Sequence, residues 1–577
     1  MIIMKRLSSL FSIVLLVSFM LAPAAVSGAQ EADRVYVNGN ICTVDEEFSK
    51  ASAIAVKDGR FIYVGDDAGV RAHIGPLTFV FDLEGKTVIP GLHDAHVHIT
   101  YGERILYPRI PDIRAAIGEW ASVERMQKVI KRCLATGEGM RPGPEPRWLV
   151  LSGWMSDVWD PPEFRKELID AVAPDNPVYI SRYTHGSGAN SKALELAGVT
   201  RDTPDPPGGH IKKDKNGKPT GEFVERAPAQ LTRLIPPLPP LTDYEISRNL
   251  VEGTQLAVAS GLTTIHGASP TGYEEVQRRT KLYEVGLLRI RINEMVREDA
   301  AKKLGKPLNY NNKYFVRSVK AFADGALGSR GALFLKEYSD YPGYHGEPRQ
   351  SEDEIAKSAT ELLKIGFNMR IHAIGDAANR IAINAYERAL KATGIEGKDA
   401  RFALEHCQVL TPDDIPRLAK LGIVASMQPL HATEDMHFAE SRIGPERIKY
   451  AYIWRDLLDL GVVIATGTDY SVSPYNPFYT LHAAVTRQDR DNNPPGGWFP
   501  EQAMTREEAL RAATMGGAYV MFAEDILGSI EVGKLADFVV IPVDYMTIPA
   551  EDIWKIEPEM TVIAGEIVYT KPVQAKK

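Results

Sequence analysis

Cysteine is scarce: Cys42, Cys133 and Cys407 are the three in 577 residues. A disulfide framework needs an even and dense set of half-cystines, so this chain must be held by its core, with at most one pair formed. A surplus of one charge is missing as well. Lys and Arg number 67 against 75 Asp and Glu, a net charge of −8 with His neutral. That balance gives no electrostatic case for nucleic acid or for an anionic membrane surface. Beyond Val26 no apolar run is long enough to span a bilayer. What remains is the composition of a globular protein, on a chain longer than one simple domain and able to bury a large core.

The first residues stand apart. Lys5 and Arg6 precede an apolar segment from about Leu10 to Leu21, followed by Ala24-Ala25-Val26-Ser27-Gly28-Ala29. A charged start, an apolar centre and small residues at the end predict a secretory signal peptide over residues 1–29. The mature protein is then secreted or periplasmic and begins near Ala29 to Glu31. An uncleaved N-terminal anchor is the rival, though the segment is short for a full span. After cleavage no stable membrane span is expected.

Residues 34–39 and 54–65 read as short strands with Asn38-Gly39 and Asp58-Gly59 turns, the signal of hairpins. The same texture returns at residues 528–541 and 562–569. The two ends are therefore expected to meet in one small β-sandwich, built from residues 30–89 and 527–577. Between them β and α alternate. Apolar runs at 262–266, 288–292, 315–322, 368–372, 402–406, 423–427 and 462–469 are candidate buried strands. Ser351-Glu352-Asp353-Glu354 is a capping box, followed by Ile355, Ala359, Leu362 and Leu363 at helical spacing. Thr411-Pro412-Asp413-Asp414 marks a second helix start, with Pro in the first helical position, and Thr505-Arg506-Glu507-Glu508 a third. With the strand that ends at His96, the count of βα-type strands is eight. Eight predicts an α/β fold of the TIM (β/α)8 type over residues 90–526, with reactive residues at the C-terminal strand ends. An open, doubly wound sheet is the alternative. Residues from about 100 to 250 break the rhythm with Pro142-Gly143-Pro144 and Pro206-Pro207-Gly208-Gly209, which mean turns, and with an exposed hairpin tip at Asp214-Lys215-Asn216-Gly217-Lys218. This stretch is expected to be an insertion between the first two barrel strands that caps the active face.

The chemistry gathers at strand ends. In Pro90-Gly91-Leu92-His93-Asp94-Ala95-His96-Val97-His98 two histidines stand one residue apart, and alternate residues of a strand share a face. His96 and His98 so placed can clamp a divalent metal. Lys320, His372, His406 and Asp469 fall on or just after later barrel strands. Each alone has a bland reading, as a hydrogen-bonded core histidine, a surface lysine or a helix cap. Bland readings do not predict ligand-type residues at one end of so many strands.

These words resemble the metal-dependent amidohydrolase superfamily, in the branch similar to N-substituted formamide deformylase (amidohydrolase family 3). The resemblance runs from about Val35 to Tyr569 and is most specific at residues 90–98, at 322–330 and in Met427-Gln428-Pro429-Leu430-His431-Ala432-Thr433. It implies that His96 and His98 hold the more buried metal and His372 and His406 the outer one. Lys320 matches a lysine carboxylated by CO2 that bridges two ions. Carboxylation needs a neutral amine, which burial near cations favours. Asp469, also a ligand, matches the group that takes a proton from the attacking water and passes it to the leaving nitrogen. His431 is placed for the carbonyl oxygen or the oxyanion. Asp324 and Arg330 are candidates for ordering the loop after the lysine strand or for contacting substrate. His185 and Asn190, in Tyr183-Thr184-His185-Gly186-Ser187-Gly188-Ala189-Asn190, match a pocket-lining segment, but relatives carry an aromatic residue where Gly, Ser and Ala stand here. His93 stands where relatives carry Ile or Val; it is either a third imidazole near the site or a packed side chain, and alternation, which would put it on the face opposite His96, favours packing.

The expectation is an exported hydrolase that cleaves a non-peptide C–N bond in a small amide, formamide, carbamate or cyclic amide. Its cofactor is a divalent metal, zinc first, one or two per chain. An ester or lactone hydrolase is the alternative, since the same water attacks either carbonyl. A non-catalytic binding protein is disfavoured by the complete ligand set. Oligomeric state is not readable.

Overall fold

A computed structural model describes residues 29–98, 111, 123–153, 164–181 and 186–572. Residues 1–28 of the expected signal segment, and His185, lie outside the described residues.

Near the start come β1 (Arg34–Val37), β2 (Asn40–Cys42), β3 (Lys50–Ala51), β4 (Ala53–Lys57), β5 (Arg60–Gly65), β6 (Phe79–Asp82) and β7 (Thr87–Pro90). Near the end come β22 (Phe538–Ile541), β23 (Met560–Ile563) and β24 (Glu566–Thr570). They form a four-stranded sheet in the order β5-β4-β1-β6 and a six-stranded sheet in the order β24-β23-β22-β7-β2-β3. Tyr36, Ile54, Phe61, Val88, Phe538, Val540 and Val562 lie in one core drawn from both sheets. Asp58 and Gly59 take positive φ of 49° and 75°, which joins β4 to β5 in a tight antiparallel hairpin. Asn38-Gly39 does something else. Its flanking strands β1 and β2 belong to different sheets, so this Asn-Gly carries the chain across rather than back.

The middle of the chain is a parallel barrel. β8 (Leu92–Val97), β14 (Leu262–Thr271), β15 (Arg291–Val296), β17 (Tyr314–Phe322), β18 (Asn368–Ala373), β19 (Ala403–His406), β20 (Val424–Met427) and β21 (Ile464–Thr466) are neighbours in that order, with β16 (Leu308–Tyr310) paired antiparallel to β17. The last strand returns to the first. Val97 and Tyr470 form a parallel bridge, and the Asp469 amide donates to the His96 carbonyl at 2.8 Å. A Cβ at Gly467 would meet the His96 backbone nitrogen at 2.5 Å, so glycine permits this approach. That contact decides against an open sheet, whose two edges would be unpaired.

The strands form where they do because both their faces are covered. Ile265, Ile292, Val316, Ile371, Leu404 and Met427 are all buried, each side chain contributing roughly 1.5–3 kcal/mol. The helix Glu352–Lys364 starts on its capping box and buries Ile355, Ala359, Leu362 and Leu363 against that shell. Helix Arg506–Arg511 starts on the Thr505 capping box. Two elements sit off their expected places. The helix expected at Thr411 begins at Ile415, because the Thr411 hydroxyl bonds the Asp414 carboxylate at 2.7 Å and closes a turn first. The strand expected at 288–292 is β15, three residues later. It runs on through Glu294, a charge that an apolar pattern rejects, because Arg279 and the Thr271 hydroxyl satisfy that carboxylate inside the protein.

Between β8 and β14 the described residues are more than turns. β9 (Leu149–Ser152), β10 (Val178–Ser181), β11 (Gly186–Ala189), β12 (Gly209–Lys213) and β13 (Pro219–Glu225) form their own sheet in the order β12-β13-β11-β10-β9. β11 escapes sequence analysis because it reads Gly-Ser-Gly-Ala, with no apolar alternation. Small residues are required there: a Cβ at Gly188 would lie 2.4 Å from the Phe164 ring. Residues 214–218 are the exposed tip of the β12–β13 hairpin, where the Asp214 carboxylate accepts the amides of Asn216 and Lys218 at 2.8 Å each. Among the described residues no helix is long and apolar enough to cross a membrane.

Candidate active site

The C-terminal ends of the barrel strands bring seven residues to one place. His96 lies on β8 and His98 just beyond it, Lys320 on β17, His372 on β18, and His406 at the end of β19. Asp469 follows β21, and His431 sits on the short helix Pro429–Asp435 after β20. Ring centroids of His96 and His406 are 4.8 Å apart, and those of His372 and His406 4.5 Å. Lys320 Nζ is 3.3 Å from His96 Nε2. Asp469 sits between two groups: Oδ1 is 3.1 Å from His98 Nε2 and 3.7 Å from His96 Nε2, and Oδ2 is 3.6 Å from His431 Nε2. Two sets of three donors have all their ligand atoms within 4.8 Å of one another, His96/His98/Asp469 and His406/His431/Asp469. His372 is outside both sets, beside His406.

Hydrogen bonds behind the histidines fix which nitrogen faces inward. The Glu405 carboxylate can only accept, so the His96 Nδ1 beside it carries the proton and Nε2 offers a lone pair. Gln428 Oε1 likewise accepts from His406 Nδ1 at 2.7 Å. His372 is turned the other way, with Nε2 donating to the Gly325 carbonyl at 3.3 Å, which makes Nδ1 its unprotonated nitrogen. Glu405 is itself pinned by Arg370 Nε at 2.5 Å and the Ser426 hydroxyl at 2.8 Å. Arg370 also donates to the Ala95 carbonyl at 2.8 Å and to His266 at 3.0 Å, so one buried guanidinium ties together five strands. Asp94 performs the same service for closure, accepting the Thr468 amide at 2.9 Å and the His96 amide at 3.2 Å.

Electrostatics match. Burial, reinforced by the Lys320 charge, holds His96 well below its usual value and therefore neutral. Burial brings the Lys320 amine down to about 8. Burial also raises the Asp469 carboxyl, but the imidazoles of His96, His98 and His431 outweigh it and hold the group below the usual carboxylate range. His431 Nε2 and Asp469 Oδ1 are buried atoms without an aligned hydrogen-bond partner among the described residues. Imidazole nitrogens and one ionised carboxylate gathered in a buried place are a donor set that fits a divalent cation. Backbone strain gathers here too: His406, Cys407 and Asp469 have φ of 73°, 45° and 55°. Each costs on the order of 1–3 kcal/mol, offset by the surrounding packing.

A family model described as the amidohydrolase family matches residues 80–569. The chain belongs to that family. The amidohydrolase is 32% identical over 529 residues to the protein LONG AFTER FAR-RED 3 of Arabidopsis thaliana, covering 88% of this chain and 87% of that one. It is 28% identical to the N-substituted formamide deformylase of Arthrobacter pascens, covering 94% and 99%. Among solved structures it is similar to a metal-dependent hydrolase from Pyrococcus furiosus, with a TM-score of 0.65 and 26% identity over 89% of this chain and all of that one. A metal-dependent hydrolase from Pyrococcus horikoshii gives 0.67 and 25%, covering 90% and 99%.

Of the other expected site residues of this amidohydrolase, Asp324 reaches the histidine cluster, with Oδ1 3.7 Å from His372 Nε2. Asn190 is fully buried. Its amide is fully used in holding the insertion together, capping the helix Ser191–Ala197 at 3.1 Å, accepting the Val178 amide and donating to the Ala173 and Asn176 carbonyls. Asp324 is buried and accepts the amides of Leu333, Ile374 and Gly375 at 2.8–3.0 Å, so it orders the loop after β17. Arg330 pairs with Asp340 at 2.7 Å and lines a cleft of about 800 Å³ between that loop and the β12–β13 hairpin. His93 packs low in the barrel, its ring 5.8 Å from that of His266. Arg370 was not singled out by sequence; its signal is a charged residue inside an otherwise apolar strand, two positions before His372.

Proposed function

We propose that this amidohydrolase is an exported, metal-dependent enzyme that hydrolyses a non-peptide C–N bond in a small amide, with N-substituted formamides the first candidates. Carbamates and cyclic amides follow. One observation carries the reading: an ionised Asp469 stands between His96/His98 and His406/His431, and within each set of three the ligand atoms lie within 4.8 Å of one another. His96, His98 and Asp469 would hold one ion and His372 and His406 a second, and Lys320, once carboxylated by CO2, would add an oxygen ligand. A divalent metal held there supplies a Lewis acid that lowers the pKa of water towards about 7 and polarises a carbonyl.

The chain's own residues do the rest. Asp469 is ionised and so can receive the proton of the attacking water. It delivers that proton to the leaving nitrogen, and water's oxygen stays on the acyl carbon as the C–N bond breaks to acid and amine. His431, whose Nε2 is 3.6 Å from Asp469 Oδ2, would donate to the carbonyl oxygen, where charge develops. Lys320, brought to about 8, presents enough neutral amine for its Nζ to bond to CO2 and lose a proton. The architecture we assign is a barrel with a sandwich from both termini and the insertion as a cap, the leader being removed on export. The N-substituted formamide deformylase likeness supports the substrate class.

The test is amine release from formamides, amides and carbamates by mature protein, before and after chelation. Turnover that chelator abolishes and zinc restores supports the reading. Turnover of lactones and esters alone would move the enzyme to the alternative class.

A further inference from the structure

Among the described residues of the insertion, Glu225 reaches the loop after the lysine strand. Glu225 ends β13 with a φ of 53°, a conformation that a residue other than glycine rarely adopts. Its side chain is fully buried and paired with Arg349 of the barrel. It also lies against the backbone of two glycines in the loop after the lysine strand. A Cβ at Gly325 would fall 2.0 Å from Glu225 Oε1, and one at Gly331 2.2 Å, so both positions must be glycine for the carboxylate to enter. Those glycines are hydrogen-bonded to each other, Gly325 N to Gly331 O at 3.1 Å.

The same loop touches the histidine cluster. The Gly325 carbonyl is the acceptor that fixes His372 Nε2, and next to it Asp324 gathers the amides that follow β18. Arg349, held by Glu225, stands 5.4 Å over the Phe322 ring. That ring is 5.7 Å from His372 and 5.2 Å from Lys320 Nζ. Pulling on Glu225 therefore moves a carbonyl and an aromatic wall that set two expected ligands.

We infer that Glu225 is a positioning residue through which the insertion holds the His372–Lys320 side of the metal centre in register. The inference rests on the metal-centre reading above. The cleft lies between the β12–β13 hairpin and the barrel loop, so a ligand in it that shifts the hairpin acts on the metal centre through this carboxylate.

The experiment uses the zinc-loaded enzyme and three variants, following zinc release to a chromogenic chelator together with kcat and KM. Glu225→Ala is expected to speed zinc release and lower kcat by about 10-fold or more, with KM changed far less, as partners behind metal ligands do. Glu225→Gln keeps the shape without the charge and is expected to fall between; it carries the test where the alanine variant does not fold. Arg349→Ala removes the partner of Glu225 and is expected to reproduce the faster release and lower kcat of Glu225→Ala. Folded Glu225 variants with wild-type release and wild-type kcat would overturn the inference alone. A wild-type protein that holds no zinc would overturn the metal-centre reading with it.

Discussion

As the proposed proton carrier, Asp469 has to do two things that conflict in water. It must stay ionised although buried, and it must still give up the proton it takes. The neighbouring imidazoles solve the first by outweighing the cost of burial. Asp469→Asn keeps an oxygen ligand and loses the base, so metal content is expected to persist while kcat falls by about 10²–10⁴; atomic emission on the variant beside its kcat is the check. Near-normal turnover would remove Asp469 from proton transfer. Deeper in the barrel His93 makes a separate prediction. Burial holds it at about 3, against an ordinary 6.5. Below pH 6.5 the unfolded chain binds a proton that the folded protein refuses, so the stability tied to His93 is full above 6.5 and is lost towards pH 3. The slope is at most about 1.4 kcal/mol per pH unit. His93→Asn is expected to reduce by about one the protons taken up on unfolding near pH 5, read from urea curves across pH. The histidines were legible as residues because ligand types recur at strand ends. Arg370, Ser426 and Gln428 were not, since a polar residue that positions another has no spacing of its own.

At the scale of elements, closure of the barrel depends on β21 meeting β8. Gly467 is the tightest point of that meeting, and Gly467→Ala would drive a methyl into the His96 backbone. Overpacking of this kind costs about 1–3 kcal/mol, and here it also displaces His96 and Asp469 from one another. A lowered Tm together with a lost metal is the expected pair; a normal metal content in the variant would mean that the closure tolerates more than the contact suggests. Barrel strands are legible because a strand covered on both faces is a nearly unbroken apolar run, and most were found within two residues. β15 slipped because Glu294 is buried with its partner Arg279, which no pattern of apolar residues registers. The helix after Thr411 started late because a threonine can close a turn as readily as cap a helix. Asn38-Gly39 had the chemistry of a hairpin, but the sheets it joins are set by contacts hundreds of residues away.

For the whole molecule, the sheet in the insertion was the largest feature not foreseen. Its β11 is built from Gly, Ser and Ala, chosen for how closely Phe164 approaches, and such a strand carries no periodicity. Composition had put a mildly acidic chain with three cysteines among proteins held by their cores, and the continuous barrel core agrees. The account of function stands or falls on the metal. Its most direct test is metal content per chain, by plasma mass spectrometry, on mature protein purified without chelator, with Lys320→Ala in parallel. The account predicts close to two ions per chain in the wild type and a loss of at least one in the variant, because the bridging group is gone. No ion in the wild-type protein, even after metal and bicarbonate are supplied, would contradict it.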